Sequence, residues 1–159
     1  MKHPMRILQG LKLAAVLAVA LSMGACANKN AATDAMANAA TPGSQQDFVV
    51  NVGDRVFFET DRYDLTGEAQ SQLQKQAAWL AQYPATTVTV EGHCDERGTR
   101  EYNLALGERR ANAVRNYLVA QGVDPNRIQT ISYGKERPEI ADSNESAWAQ
   151  NRRGVTVLQ

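Results

Sequence analysis

The apolar residues of this 159-residue chain are distributed so unevenly that only one part of it can form a core. Residues 27–47 (ANKNAATDAMANAATPGSQQD) contain no Leu, Ile, Val or aromatic residue. Such a segment cannot bury enough surface to offset the entropy lost on ordering, so we expect a flexible tether. A coil of this length spans roughly 25 Å, and about 70 Å when fully stretched. The globular domain is therefore predicted to occupy residues 48–159.

Residues 1–25 have the pattern of a secretory signal. Three basic residues, Lys2, Arg6 and Lys12, come before an unbroken apolar run at residues 13–21 (LAAVLAVAL). This run is too short to span a bilayer, which needs about 20 apolar residues. A basic start, a short apolar run and small residues at the end are typical of a signal peptide.

The end of this signal, Gly24-Ala25-Cys26, resembles the bacterial lipobox. The resemblance implies that Cys26 becomes the acylated first residue of the mature chain, with acyl chains enough for stable anchoring in lipid. Ala27 follows where an Asp commonly signals retention in the inner membrane. The expected location is therefore the outer membrane, with the tethered domain facing the periplasm.

The mature chain is slightly acidic. Without the three basic residues of the signal, 14 basic residues face 17 acidic ones, a net charge of −3. There is no basic excess to attract nucleic acid, so that class of partner is not expected. The two cysteines, Cys26 and Cys94, cannot make a framework of disulfides.

Local patterns within residues 48–159 predict alternating strands and helices. The predicted strands are residues 56–58, 87–91, 127–133 and 155–158. The predicted helices are one from a Thr66 cap to Tyr83-Pro84, one at residues 101–121 and a short one from a Ser143 cap to residue 150. This alternation favours an α/β or α+β sandwich of helices on one sheet.

Two sets of residues are expected to fill the core beneath the second helix. The first is the stripe at helical spacing formed by Leu104, Gly107, Ala111, Val114 and Leu118. The second is the pair Ile128 and Ile131 on the third strand.

A polar face lies at the edge of that stripe. At 100° per residue, Asn103, Leu106 and Arg110 share one side of the helix, whereas Arg109 points to solvent. Asp95 lies in the predicted loop at residues 92–99 (GHCDERGT), just before the helix. The sequence thus predicts a cleft that contains a carboxylate and a guanidinium.

Such a pair of charges allows two interpretations. A zwitterionic ligand would donate from an ammonium to Asp95 and place a carboxylate on Arg110 through two parallel hydrogen bonds. Alternatively, Asp95 and Arg110 form a structural ion pair, and the residue types alone favour this simpler interpretation.

The surrounding sequence resembles a known family. Residues 91–110 read EGHCDERGTREYNLALGERR, and Thr60-Asp61, Tyr133-Gly134, Pro138 and Asn151-Arg152-Arg153 are further matching features. These residues resemble the signature of the OmpA-like peptidoglycan-binding domain over the whole of residues 48–159. The resemblance implies a β-α-β-α-β-α-β fold whose helices pack on one mixed sheet.

The resemblance also implies a function and a set of site residues. The ligand would be the diaminopimelate side chain of uncrosslinked peptidoglycan stem peptides, held by Asp95 and Arg110. The remaining pocket residues would be Asn103, Leu106, Thr60, Asp61, Arg97 and Thr99. The implied partners are TolB and other Tol components, in a link between outer membrane and cell wall that supports envelope integrity and membrane constriction at cell division.

Two other functions stay open at this point. One is an OmpA-like lipoprotein outside the Tol system, such as a motility or secretion accessory; the other is a cell-wall hydrolase. His93 and Cys94 would project to opposite faces of a strand and could not form a catalytic dyad, so an enzyme is not expected. One His and one Cys also lack the partners that a zinc site needs, and neither a metal nor a cofactor is expected.

Overall fold

The structure, a computed structural model, describes residues 40–159. The predicted signal, Cys26 and most of the tether lie outside the described residues. The elements in chain order are α1 (Gln45–Asp47), a π-helical turn (Phe48–Val52), β1 (Arg55–Phe57), α2 (Gly67–Gln82), β2 (Val88–His93), α3 (Arg100–Ala120), a 3-10 turn (Pro125–Arg127), β3 (Ile128–Gly134), α4 (Glu145–Asn151) and β4 (Arg153–Leu158). From β1 onward this is the predicted β-α-β-α-β-α-β order.

The four strands form one mixed sheet in the order β1-β4-β2-β3. The last strand lies in the middle and runs antiparallel to both neighbours, with Val155 opposite both Arg55 and Glu91. Strands β2 and β3 are parallel, since α3 crosses over between them. The loop after β2 and the start of α3 therefore meet at one end of the sheet.

Helices cover one face of the sheet. Val56, Val88 and Val90 point toward the helices and are buried, whereas Phe57 and Ile131 point to the opposite face and are 41% exposed. Two predicted core residues are thereby corrected. Ile131 is not in the core. Side chains alternate between the two faces along a strand, so Ile131, three residues after the buried Ile128, lies on the other face of the sheet. Leu104 is 51% exposed, because it lies where β3 ends and the sheet no longer covers the helix.

Helix α3 approaches β2 closely through a pair of glycines. A Cβ on Gly92 would lie 1.8 Å from the carbonyl oxygen of Gly107. The helix and the strand could therefore not pack this closely if residue 92 were larger than glycine. This contact brings the first turns of α3 against the loop that follows β2. Predicted loop residues 92 and 93 belong to β2 itself, because their pairing with β3 and β4 continues past Glu91.

The domain begins before Phe48, where the sequence predicted its start. The Asp47 carboxylate accepts a hydrogen bond from the Trp79 indole at 3.1 Å, and Gln45 accepts one from the Leu158 amide at 2.8 Å. Ser44 caps α1 through the Asp47 amide. Residues 43–47 of the predicted tether thus pack on the domain although they contribute no aliphatic core residue.

Two smaller findings complete the fold. The N-cap of α4 is Asn144, whose side chain accepts a hydrogen bond from the Ala147 amide, and not Ser143 as predicted.

Within residues 40–159, no helix is both long enough and apolar enough to cross a membrane.

Candidate ligand-binding site

A pocket of about 280 Å³ opens where the loop after β2 meets the start of α3. Its walls come from three segments: the loop after β1, the loop after β2, and α3. The lining residues are Thr60, Asp61, Cys94, Asp95, Arg97, Gly98, Tyr102, Asn103, Leu106 and Arg110. Seven of the eight predicted site residues therefore line one cavity.

Arg110 forms the inner end of this pocket and is only 1% exposed. Its guanidinium donates to three backbone carbonyls, from Nε to Arg62 at 2.8 Å, from Nη1 to His93 at 2.9 Å and from Nη2 to Glu59 at 3.1 Å. It also lies 5.2 Å from the Phe58 ring centre. Among residues 40–159, no carboxylate pairs with it. Burial lowers the pKa of Arg110 from its ordinary value, which is the sign of a cation that lacks full compensation.

Asp95 is also buried, with 6% of its surface exposed, but two arginines compensate its charge. Its carboxylate accepts from the backbone amide and Nε of Arg97, both at 3.1 Å, and from Nη2 of Arg97 at 2.7 Å. Arg152 donates to the same carboxylate at 3.3 Å. Burial alone would raise the pKa of Asp95, but these hydrogen bonds outweigh it and the pKa is lowered. The alternative in which Asp95 pairs with Arg110 is therefore wrong.

The loop that carries Asp95 is held against α3 by polar contacts. The Asn103 amide donates to the carbonyls of Arg97 and Thr99, at 2.8 and 3.1 Å. Lys135, which directly follows β3, donates to the carbonyls of Glu96 and Gly98, at 3.1 and 2.6 Å. Gly98 has a φ of +93°, a value that favours glycine, and it lets the chain turn into the helix. The site is thus pre-formed by the backbone around it.

The outer wall is formed by Thr60 and Asp61. Asp61 has a φ of +60°, which is uncommon for a residue with a side chain and costs of order 1–3 kcal/mol. Its carboxylate accepts from the hydroxyl of Tyr102 on α3. Backbone strain of this kind persists only where surrounding contacts hold it, and the contact with Tyr102 ties this loop to α3.

The predicted residues have different places in this site. Arg110, Asn103 and Leu106 face the pocket together, while Arg109 is exposed and lies over Tyr63, as the helical spacing predicted. Thr99 is not in the wall; its hydroxyl caps α3 by accepting from the Tyr102 amide.

Sequence reasoning missed two contributors. Tyr102 precedes Asn103 on the helix but reaches the pocket from its rim. Arg152 comes from the end of α4, and no periodicity links it to Asp95, 57 residues earlier. The sequence pointed to Arg152 only through the resemblance of Asn151-Arg152-Arg153 to the family signature.

His93 and Cys94 do not form a catalytic pair. The Cys94 thiol donates to the Asn103 carbonyl on the helix side, whereas His93 contacts Glu91 and Tyr133. Burial raises the pKa of Cys94 to about 11, so the thiol is protonated at neutral pH and is a poor nucleophile. In the part of the chain that the structure describes, no group of three His, Cys, Asp or Glu side chains could hold a metal ion.

The fold and the sequence place this chain in a known family. Residues 57–152 match the OmpA family, and the chain belongs to that family. It is 58% identical to the peptidoglycan-associated lipoprotein of Rhizobium meliloti (strain 1021) over 148 residues, 89% of this chain and 84% of the relative. It is 44% identical to the protein of the same name in Haemophilus influenzae (strain ATCC 51907 / DSM 11121 / KW20 / Rd), across 84% of this chain and 88% of the relative.

Two solved structures have a similar fold. The crystal structure of the peptidoglycan-associated lipoprotein from Burkholderia pseudomallei aligns with a TM-score of 0.65 at 42% identity, covering 67% of this chain and 90% of that one. The C-terminal domain of Helicobacter pylori MotB aligns with a TM-score of 0.61 at 21% identity, covering 67% and 84%. The latter similarity concerns the fold alone.

Proposed function

We propose that this protein is an outer-membrane lipoprotein that holds peptidoglycan non-covalently through the diaminopimelate side chain of an uncrosslinked stem peptide. The observation that carries this proposal is Arg110, a buried cation that lines a pocket and has no carboxylate partner in residues 40–159. A buried charge is stable only when it is paired or hydrogen-bonded. The protein supplies carbonyl acceptors, and the ligand supplies the counter-charge.

The chemistry of Arg110 fits a carboxylate. A guanidinium has five N–H groups, and the three carbonyls use one on each nitrogen. One N–H therefore remains on Nη1 and one on Nη2, and a carboxylate has two oxygens to accept from them. The diaminopimelate side chain ends in a carboxylate and an ammonium, so the acidic residues Asp95 and Asp61 are matched to its second charge.

The size of the pocket favours one side chain over a glycan. A volume of about 280 Å³ is just below the usual range for small-ligand pockets, roughly 300–1,000 Å³. It accommodates the end of an amino-acid side chain, and the rest of the peptidoglycan stays outside. The names of the relatives support peptidoglycan as the source of that side chain.

The cellular part of the proposal follows from the sequence. Acylated Cys26 would anchor the chain in the outer membrane, with the domain in the periplasm linking this membrane to the wall. TolB and other Tol components are the proposed protein partners, in envelope integrity and in constriction of the outer membrane at division. The protein would act by binding and not as an enzyme, without a cofactor. Co-purification with TolB, with and without added stem peptide, tests the partner.

Competition for intact peptidoglycan sacculi tests the ligand. A tripeptide ending in diaminopimelate should release the domain from the sacculi, whereas the same tripeptide ending in lysine should not. Lysine keeps the ammonium and lacks the side-chain carboxylate. Equal competition by both peptides would contradict the proposal, and release of soluble wall fragments would instead indicate a hydrolase.

A further inference from the structure

The carboxylate at the mouth of the pocket is not free to receive a ligand. Asp95 carries a two-pronged ion pair with Arg97, through Nε at 3.1 Å and Nη2 at 2.7 Å, and a third contact from Arg152. An ammonium that approaches Asp95 therefore meets a carboxylate whose charge two guanidiniums already balance. In this state the pocket attracts an anion to Arg110 and offers little at Asp95 to a cation.

The two arginines on Asp95 differ in how firmly they are held. The Arg152 side chain is 6% exposed and donates also to the Phe58 carbonyl and to Glu145. The Arg97 side chain is 38% exposed, and its loop position leaves it at the pocket rim. Arg97 is therefore the one of the two that can leave Asp95 without breaking the buried contacts of Arg152.

A place for the displaced guanidinium already exists beside the pocket. Arg97 lies 4.2 Å from the centre of the Trp148 ring, Nη2 is 3.5 Å from the Thr60 hydroxyl, and Nη1 is 3.9 Å from Glu145. A small rotation would exchange Asp95 for Glu145 and would shift the guanidinium over the Trp148 ring. The cost of moving is limited because Arg97 is partly exposed and gains Glu145, while the ligand's ammonium replaces it on the buried Asp95 carboxylate.

Resting on the proposed function, we propose that Arg97 is an internal competitor for the ligand's ammonium group. It occupies Asp95 in the free protein and moves toward Glu145 when a zwitterionic side chain binds. Arg97 thus sets the affinity for diaminopimelate and keeps the attachment reversible. A ligand that carries only the carboxylate does not displace it.

The test compares two ligands on matched variants by titration calorimetry. The ligands are the diaminopimelate tripeptide and the tripeptide with 2-aminopimelate, in which hydrogen replaces the side-chain ammonium. Arg97→Gln should bind the first roughly three- to fivefold more tightly than the wild type, because a partly exposed ion pair no longer competes. Its affinity for the second should not increase, because that ligand has no ammonium to place on the vacated Asp95 carboxylate. Arg100→Gln, an exposed arginine three residues away that pairs with Glu136, is the matched control and should change neither.

Trp148 reports the movement directly. In the wild type the diaminopimelate peptide should change the Trp148 fluorescence, measured as the difference from a Trp148→Phe variant, and the 2-aminopimelate peptide should not. Weaker binding of both ligands by Arg97→Gln would show that Arg97 only shapes the loop, and would overturn its role as a competitor while the proposed function stands. Absence of diaminopimelate binding in the wild type would overturn both.

Discussion

The two ends of the pocket both hold buried charges, and they differ in what balances them. Asp95 is balanced within the protein by Arg97 and Arg152, whereas Arg110 is surrounded by backbone carbonyls and has no carboxylate partner in residues 40–159. Burying a charge without its counter-charge is costly. We therefore expect the contact with Arg110 to contribute most to the free energy of ligand binding, because the ligand brings the missing negative charge.

The largest effect is expected at the unbalanced end. Arg110→Ala should weaken binding of the stem tripeptide by about 2–5 kcal/mol, at least tenfold, because the ligand carboxylate loses its buried partner. Arg109→Ala is the matched control, since that arginine is exposed and turned away. Titration calorimetry with both variants, together with circular dichroism for the fold, measures this difference. Equal damage from the two substitutions would place the carboxylate elsewhere.

At the balanced end, the first effect of a substitution should be on stability. Asp95→Asn removes the buried carboxylate charge that Arg97 and Arg152 share and should lower the free energy of unfolding at pH 7 by roughly 1–3 kcal/mol, while Arg152 keeps its second partner, Glu145. The folded pKa of Asp95 lies below its ordinary value, so its contribution is present above pH 4 and is lost as the pH falls through the folded pKa.

Urea denaturation at several pH values checks that sign. The stability difference between wild type and Asp95→Asn should be full at pH 7 and should shrink toward pH 3. A difference that stayed constant over this range would show that the charge of Asp95 is not what stabilises the domain.

A truncation separates stability from binding. A chain that starts at Phe48 lacks the Asp47–Trp79 hydrogen bond and the Ser44 cap, and it should be about 1–2 kcal/mol less stable than one that starts at Ala40. Its affinity for the tripeptide at 25 °C should be unchanged, because these contacts are remote from the pocket. A matching loss of affinity would mean that binding follows overall stability and not the charges.

The smallest effect is expected at Cys94, which also lines the pocket. Cys94→Ser keeps a donor near the Asn103 carbonyl and should still sediment with sacculi. The raised pKa predicts that the native thiol reacts with a thiol-specific reagent at pH 8 only after unfolding. Loss of sedimentation by a folded Cys94→Ser protein would reopen a role for the thiol.

Local spacing was enough to predict most of the fold and one wall of the pocket. Helical periodicity placed Arg110 with Asn103 and Leu106 and turned Arg109 outward, because positions on a helix follow from sequence separation alone. The same reasoning failed at Leu104, since burial there depends on where a different strand ends. Residues 43–47 were missed because they dock through hydrogen bonds, which composition does not reveal.

The balance of charge in the pocket could not be read from the sequence. Residue types suggested that Asp95 pairs with Arg110, the two opposite charges of one predicted cleft. The actual partners are Arg97, two residues away, and Arg152, which the sheet brings from the end of the chain. Long-range contacts of this kind are set by topology, and they decide which charge remains for a ligand.

One measurement tests most directly whether Arg110 receives the ligand's carboxylate. Wild type and Arg110→Ala are each titrated with the diaminopimelate tripeptide and with its side-chain carboxamide, which removes the negative charge and keeps the size. The amide should cost the wild type at least about tenfold in affinity. It should cost Arg110→Ala hardly anything, because the contact is already gone. Equal wild-type affinity for the two ligands, or an equal loss in both proteins, would contradict the assignment.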